Sequence, residues 1–495
     1  VYGGLIGGLF KLGNEAFRLW DGLFEKATIL NQKVYLYFSL NLSPALVAVG
    51  YIVGLNVSTL VFLGGVVTWW IAIPAYVGMN GYDAVGAELV AAGKFASLDG
   101  ITPEALGGAL WSAKMRYLGV GAMVIGGLWA LLSLRSALTT AFKSGVQAFK
   151  EGAQKVSDTL RTELDTPMSW VLIGIGALIV PIFFIYLTII QDVPITIFMA
   201  VIMVVAGFLF SAVAGYMAGL VGSSNNPISG VTIATILSTS LLLLLLMGSS
   251  DPGRGAAGAI LVGAVVCCAA AIAGDNMQDL KAGHVLGATP RNQQIMQMIG
   301  VLAGALLIAP VLNLLLESRG IGNPTVDHPN PLTAPQATLM MSVATGIFGG
   351  QLPWGIISIG ASIGVVIIIA DQYLKKIDSS FRMPVLAVAV GLYLPFELDS
   401  SIFIGGVIAY LIERSYRKNN IAKEKQEKAS NSGLLIASGL ITGEALMGIL
   451  IALLATFQFN LSLADEPIGG SLLGLAILIL ILVYLYRSVI HVSKK

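Results

Sequence analysis

Charge is the scarcest property of this chain. Asp, Glu, Lys and Arg make up 11% of its 495 residues, against about 25% in soluble proteins. With 56% apolar residues and a mean hydropathy of +0.84, that scarcity excludes an ordinary soluble enzyme. The 28 basic and 27 acidic residues nearly cancel, so nothing points to a nucleic-acid partner. The two cysteines, Cys267 and Cys268, are adjacent in an apolar run; they read as small packing residues and say nothing about redox compartment. His284, His328 and His491 are too scattered for a metal site. Gly93-Lys94 is followed by Phe95, and no Gly-x-x-x-x-Gly-Lys-Ser/Thr occurs. Without that phosphate cradle, an ion gradient is the expected energy source rather than ATP hydrolysis by this chain. No nucleophile–base pair stands out, and neither an enzyme nor a bound cofactor is expected.

Glycine, by contrast, is abundant: 58 residues, about 12% of the chain where about 7% is usual. In a membrane bundle this implies helices packed closely through small residues. Apolar runs long enough to span or half-span a bilayer fall at 34–57, 59–77, 116–134, 168–190, 194–221, 231–248, 256–274 and 296–315, then 337–350 with 354–370, 383–397 with 398–412, 432–456 and 468–490. They amount to roughly 12 to 14 spans plus re-entrant pieces. Residues 1–30 read as the tail of a span followed by an interfacial stretch. Connector 413–431 carries Arg414, Arg417, Lys418, Lys423, Lys425 and Lys428, and the chain ends in Lys494-Lys495; both read as cytoplasmic. Connector 135–167 is basic as well. Connector 457–467 has Asp465 and Glu466 and no base, as an external loop should.

An internal repeat is visible. PALVAVGYIVGLNVSTLVFLGGV (44–66) aligns with PVLAVAVGLYLPFELDSSIFIGGV (384–407): Gly50 with Gly391, Phe62 with Phe403, and Gly64-Gly65 with Gly405-Gly406, at one offset of 341 residues. Residues 1–134 then read as the C-terminal part of a first transmembrane repeat. Residues 135–167 are a polar connector, and 168–495 hold the second repeat with C-terminal spans. On this reading the first repeat begins upstream of Val1, so the chain is expected to be a piece of a longer protein. The expected fold class is an all-α polytopic membrane protein of two related helical repeats with broken or re-entrant helices, the first repeat incomplete.

The breaks carry the functional signal. Gly222-Ser-Ser-Asn-Asn-Pro-Ile-Ser-Gly230 interrupts two long apolar runs, and irregular backbone survives at membrane depth only where it is packed in protein or lines a cavity. Interrupted helices of this kind build substrate sites in secondary transporters. A half-helix starting near Ser229 would offer free N–H groups to a carboxylate, and Asn225 and Asn226 would supply donors and acceptors beside Pro227, Ser229 and Gly230. A capped turn between two spans is the competing reading. Gly349-Gly350-Gln351-Leu352-Pro353-Trp354 is a second break, or else an interfacial turn. Glu397 and Asp399 sit in an apolar surround next to Pro395, and Glu444 lies alone inside a convincing span. Intramembrane acids are costly and mark ion or proton paths. Glu444, Glu397 and Asp399 are therefore the proton-coupling candidates, with a structural hydrogen-bond role the alternative for Glu444 and an exposed loop between two short spans the alternative for Glu397 and Asp399. Asp275, Gln278 and Asp279 share one helical side and read as a solvated elbow.

GLVGSSNNPISGVTIATIL (219–237), GDNMQDLKAGHVLGATPRNQQ (274–294) and the block from FIGGVIAYLIER to SGLITGEALMGIL (403–450) resemble the oligopeptide transporter (OPT) superfamily, in its prokaryotic branch akin to the yellow stripe-like transporters. The resemblance implies proton-coupled symport of small peptides, or of metal chelates with peptide-like ligands, across the plasma or inner membrane. The implied partners are substrate, protons and the lipid bilayer. Substrate would bind against Asn225, Asn226, Pro227, Ser229 and Gly230, with Gln351 and Glu397 nearby. A passive channel for small polar solutes is the alternative, and homo-oligomerisation is left open.

Overall fold

The computed structural model describes all residues except 32–33, 93, 96, 99, 134–159, 222–227, 249–250, 323–330, 333, 349–352, 380, 458, 460, 465 and 495. In chain order its helices and strands begin with α1 (Tyr2–Lys11), the hairpin strands β1 (Leu23–Leu30) and β2 (Val34–Asn41), and α2 (Pro44–Val66). There follow α3 (Ile73–Asn80), α4 (Tyr82–Ala91), α5 (Pro103–Leu110), α6 (Tyr117–Ser133), α7 (Met168–Ile190) and α8 (Val193–Val221). Next come α9 (Ile228–Met247), α10 (Pro252–Leu286), α11 (Pro290–Arg319), α12 (Pro335–Ile347) and α13 (Trp354–Lys376). The series closes with α14 (Val385–Tyr393), α15 (Phe396–Lys418), α16 (Lys423–Thr456) and α17 (Gly470–Lys494). Among the described residues, nine helical stretches are long and apolar enough to cross a membrane. The chain is a nearly all-α, multi-pass membrane protein. Shorter helices from the expected runs fall outside that count: α14 has 9 residues, α12 has 13 and α6 has 17.

Two compact units form, interleaved in sequence: Val1–Met123 with Val311–Thr333 and Pro353–Lys495, and Val124–Pro310 with Ala334–Leu352.

In the first unit, the run 34–57 is not one span. Residues 34–41 pair antiparallel with 23–30, from Leu23 opposite Asn41 to Leu30 opposite Val34. Tyr35, Tyr37 and Ser39 face inward while Val34, Leu36 and Phe38 face out, the period-two alternation of a half-buried strand. The helix starts only at Pro44, where a proline without an N–H suits the first turn and the Ser43 hydroxyl accepts from Leu46 N at 3.3 Å. Gly54, at φ +79°, breaks α2 in its middle. That backbone conformation is open to glycine and strained for other residues. Tyr35, Tyr37, Trp69, Ile73 and Phe396 lie in one buried cluster. Phe10, Trp20, Leu42, Val47 and Leu440 lie in another. Helix α1 lies along α16 with Gly3 and Gly7 against the Ile436 and Leu440 carbonyls, the close approach that small residues permit in a bilayer.

In the second unit, α9 is buried from Gly230 to Ile236, exposes Leu241, Leu245 and Leu246 further on, and packs against α8, α10 and α12. Gly255 and Gly263 on α10 admit Phe348 and Ile236 against its backbone. The expected elbow at 275–295 is mostly helix: α10 runs on to Leu286 and ends at Gly287. Asp279 joins it to α11, accepting from Gln297 Nε2 at 2.6 Å through its carboxylate and from Gln293 Nε2 at 3.0 Å through its carbonyl.

Candidate functional site

Two interrupted helices cross in the first unit: α2, broken at Gly54, and the pair α14–α15, broken at Leu394-Pro395. Their contacts are reciprocal. Gly50 sits against the Ile402 carbonyl and Gly391 against the Val61 carbonyl; Gly64 meets the Val388 carbonyl and Gly405 the Val47 carbonyl. Each contact maps onto its mate when 341 is added to one set of numbers. Phe62 and Phe403, also matched, stack with ring centres 4.5 Å apart.

The hairpin is fastened to the start of α15. Ser400 Oγ donates to Ser39 O at 2.7 Å and Ser401 Oγ to Asn41 O at 2.6 Å. Trp70 Nε1 donates to Tyr37 O at 2.8 Å, and Thr68 Oγ1 to Leu392 O at 2.9 Å. The Tyr37 ring stacks on Trp69 at 4.4 Å and its hydroxyl donates to Glu25 at 2.7 Å. This aromatic wall flanks the first turn of α15, where Glu397 is half-buried. In the same first turn, Asp399 is completely buried and neither carboxylate oxygen has a hydrogen-bond partner.

Glu444 has a different setting. Its carboxylate accepts from Ser43 Oγ at 2.9 Å and from Ala45 N at 3.0 Å, and Lys11 Nζ stands 4.0 Å away. It therefore caps the N-terminus of α2, where free N–H groups and the helix dipole favour an anion. Lys11 also pairs with Glu15 at 2.8 Å, and Glu15 in turn pairs with Arg319. These side chains border a cavity of about 590 Å³, lined also by Asn14, Arg18, Trp20 and Asp21 and by apolar residues including Ile451, Leu454 and Phe459. Glu444→Gln is expected to lower thermal stability by about 1–2 kcal/mol, the worth of a charged cap. The check is thermal unfolding in detergent; an unchanged Tm would mean that the cap contributes nothing.

Asn225, Asn226, Pro227 and Gln351 lie outside the described residues. Helix α8 ends at Val221 and α9 begins at Ile228, so Ser229 and Gly230 occupy the first turn of α9, with Gly230 buried. These two belong to the second unit, and Glu397, Asp399 and Glu444 to the first. Sequence reading passed over a hydroxyl-bearing face that begins at this turn. Thr232, Thr235, Thr239 and Ser240 on α9, with Thr338 and Ser342 on α12, are buried, and Thr239 Oγ1 and Ser240 Oγ have no hydrogen-bond partner. Thr239 and Ser240 stand in STSLLLLLL, where the leucines mask them. Lys11, Glu15 and Arg319 were passed over too, because each stands near the end of an apolar run, where a charge ordinarily meets water.

The family model described as OPT oligopeptide transporter protein matches residues 9–455. A "Putative oligopeptide transporter" of Haemophilus influenzae is 31% identical over 100% of this chain and 80% of its own length. The "Probable metal-nicotianamine transporter YSL6" of Arabidopsis thaliana is 28% identical over 38% of this chain and 27% of its own length. The "Putative oligopeptide transporter YGL114W" of Saccharomyces cerevisiae is 27% identical over 36% of this chain and 24% of its own length.

Proposed function

Because this chain belongs to the OPT oligopeptide transporter family, a family of membrane transporters and not of enzymes, we propose that it is a secondary active symporter. It moves small oligopeptides, or metal chelates of peptide-like ligands such as metal–nicotianamine, together with protons across the cell membrane. The observation that carries this reading is the buried, unpartnered Asp399 at the crossing of two interrupted helices. A static scaffold gains nothing from an acid with no donor, whereas a carrier needs a group whose charge changes during its cycle. Reciprocal contacts at a constant offset support treating residues 1–134 and 168–495 as parts of two related repeats joined by 135–167.

For the substrate the candidates are Asn225, Asn226, Pro227, Ser229, Gly230 and Gln351, which fall in the second unit, and Glu397, which falls in the first. The α9 N-terminus would receive a carboxylate of a peptide or chelate. For the proton the candidates are Asp399, Glu397 and Glu444. Glu444 is the weakest of the three, since Ser43, Ala45 and Lys11 already hold its charge.

Proteoliposomes loaded at neutral pH and diluted into acidic medium are expected to accumulate labelled trialanine or nickel–nicotianamine. A gradient of one pH unit drives about tenfold accumulation at one proton per substrate. Uptake that reaches only the outside concentration, with or without the gradient, would identify a passive channel instead.

A further inference from the structure

One exchange within the reciprocal crossing puts a carboxyl group where its mate has a hydroxyl. Ser58 abuts Gly406, and its counterpart 341 residues on, Asp399, abuts Gly65. In both places the glycine leaves no room for a side chain of its own: a methyl group at Gly406 would overlap Ser58 Oγ, and one at Gly65 would overlap Asp399 Oδ2. Ser58 is satisfied locally, its hydroxyl donating to Leu55 O at 3.1 Å. Asp399, against the equivalent glycine, is fully buried and both oxygens lack partners. The packing of this corner is thus met by a hydroxyl, and a carboxyl there adds only cost.

We infer that Asp399 binds and releases the transported proton, seated in the gap that Gly65 leaves at the α2–α15 crossing. This rests on the proton-coupled reading above and names its carrier. The step is an O–H bond made with a proton from the medium on one side and broken toward the medium on the other. Enclosed as here, the carboxyl has no cation among the described residues to offset a negative charge; exposed to water when the crossing opens, it can ionise. Among the described residues, Glu397 on its own helix is the charged neighbour acting on it. The α2 surface offers Gly65, and the hairpin's Tyr37 and Glu25 act on Glu397 rather than on Asp399.

Asp399→Ser recreates the Ser58 corner and so keeps the packing. In proteoliposomes carrying labelled trialanine or nickel–nicotianamine, the ratio of uptake with and without a one-unit pH gradient is expected to fall from about ten to about one in this variant. A variant ratio equal to that of the wild type would overturn the assignment and leave proton coupling standing. A wild-type ratio of one would overturn the coupling itself. A second measurement needs no substrate. The infrared pH-difference spectrum of the wild-type protein should contain a carboxylic-acid carbonyl band that shifts in heavy water. Its absence across the pH range refutes binding and release of a proton by Asp399; its presence in wild type and loss in Asp399→Asn, but not in Ser58→Ala, supports them.

Discussion

Alanine in place of Gly391 is expected to cost at least about 3 kcal/mol, at or above the upper end for overpacking, and to leave little folded protein in detergent. The new methyl group would overlap the Val61 carbonyl oxygen. That atom is main chain inside a helix, so no rotamer can yield, and α14 must move away from α2. Because the crossing is reciprocal, Gly50→Ala meets the Ile402 carbonyl in the same manner and should fail to the same extent. Gly108→Ala is the control: it lies in α5 with open space where the methyl would go. Helix propensity there favours alanine by about 1 kcal/mol. Thermal unfolding and size-exclusion profiles separate the cases, and a Gly391→Ala protein that melts with the wild type would mean that this crossing is loose.

Glu15→Gln should lower stability by about 3 kcal/mol, because it strips the shared anion from two cations that remain enclosed. The Lys11, Glu15 and Arg319 side chains are 25%, 17% and 27% exposed, too little for water to take over from the carboxylate. Glu444 stays 4.0 Å from Lys11 and offsets part of that loss, but Arg319 has only Glu15 among the ion pairs of the described residues. The double variant Glu15→Gln/Arg319→Met removes the stranded charge and is expected to recover most of the stability. By comparison, Lys428→Ala breaks a helix-surface pair with Glu424, both more than two-thirds exposed, and should change stability by at most about 0.5 kcal/mol. Denaturation of the four proteins under one detergent and salt condition checks the ranking, which fails if Glu15→Gln and Lys428→Ala behave alike.

How much of this was legible in the sequence differs from element to element. The glycines of the crossing were visible as an offset of 341 because helices that touch main chain to main chain admit hydrogen and little else at the contact. Pro395 and the neighbouring acids likewise marked the start of α15. The hairpin at 23–41 was not legible. Averaging hydropathy over a span-length window adds Tyr35, Leu36, Tyr37 and Phe38 together, whereas a strand sends alternate residues to opposite faces. The same averaging merged the hairpin's second strand with α2 into one run, 34–57. In the opposite direction, polar residues at 275–286 suggested a connector where α10 continues, since side chains that hydrogen-bond across to α11 let a helix run on beyond its apolar stretch.

Composition and run length alone determined that this chain lives in a bilayer and is helical, because backbone polar groups in hydrocarbon must be satisfied within each segment. Which acid lacks a hydrogen-bond partner was decided only by the tertiary structure. In sequence Glu444 is the more isolated acid and Asp399 has Glu397 two residues away; in space Glu444 meets Ser43, Ala45 and Lys11, while Asp399 meets a glycine. A carboxylate's energy depends on the donors and charges within a few ångströms. Those neighbours come from segments hundreds of positions away, so a reading that moves along the chain cannot supply them.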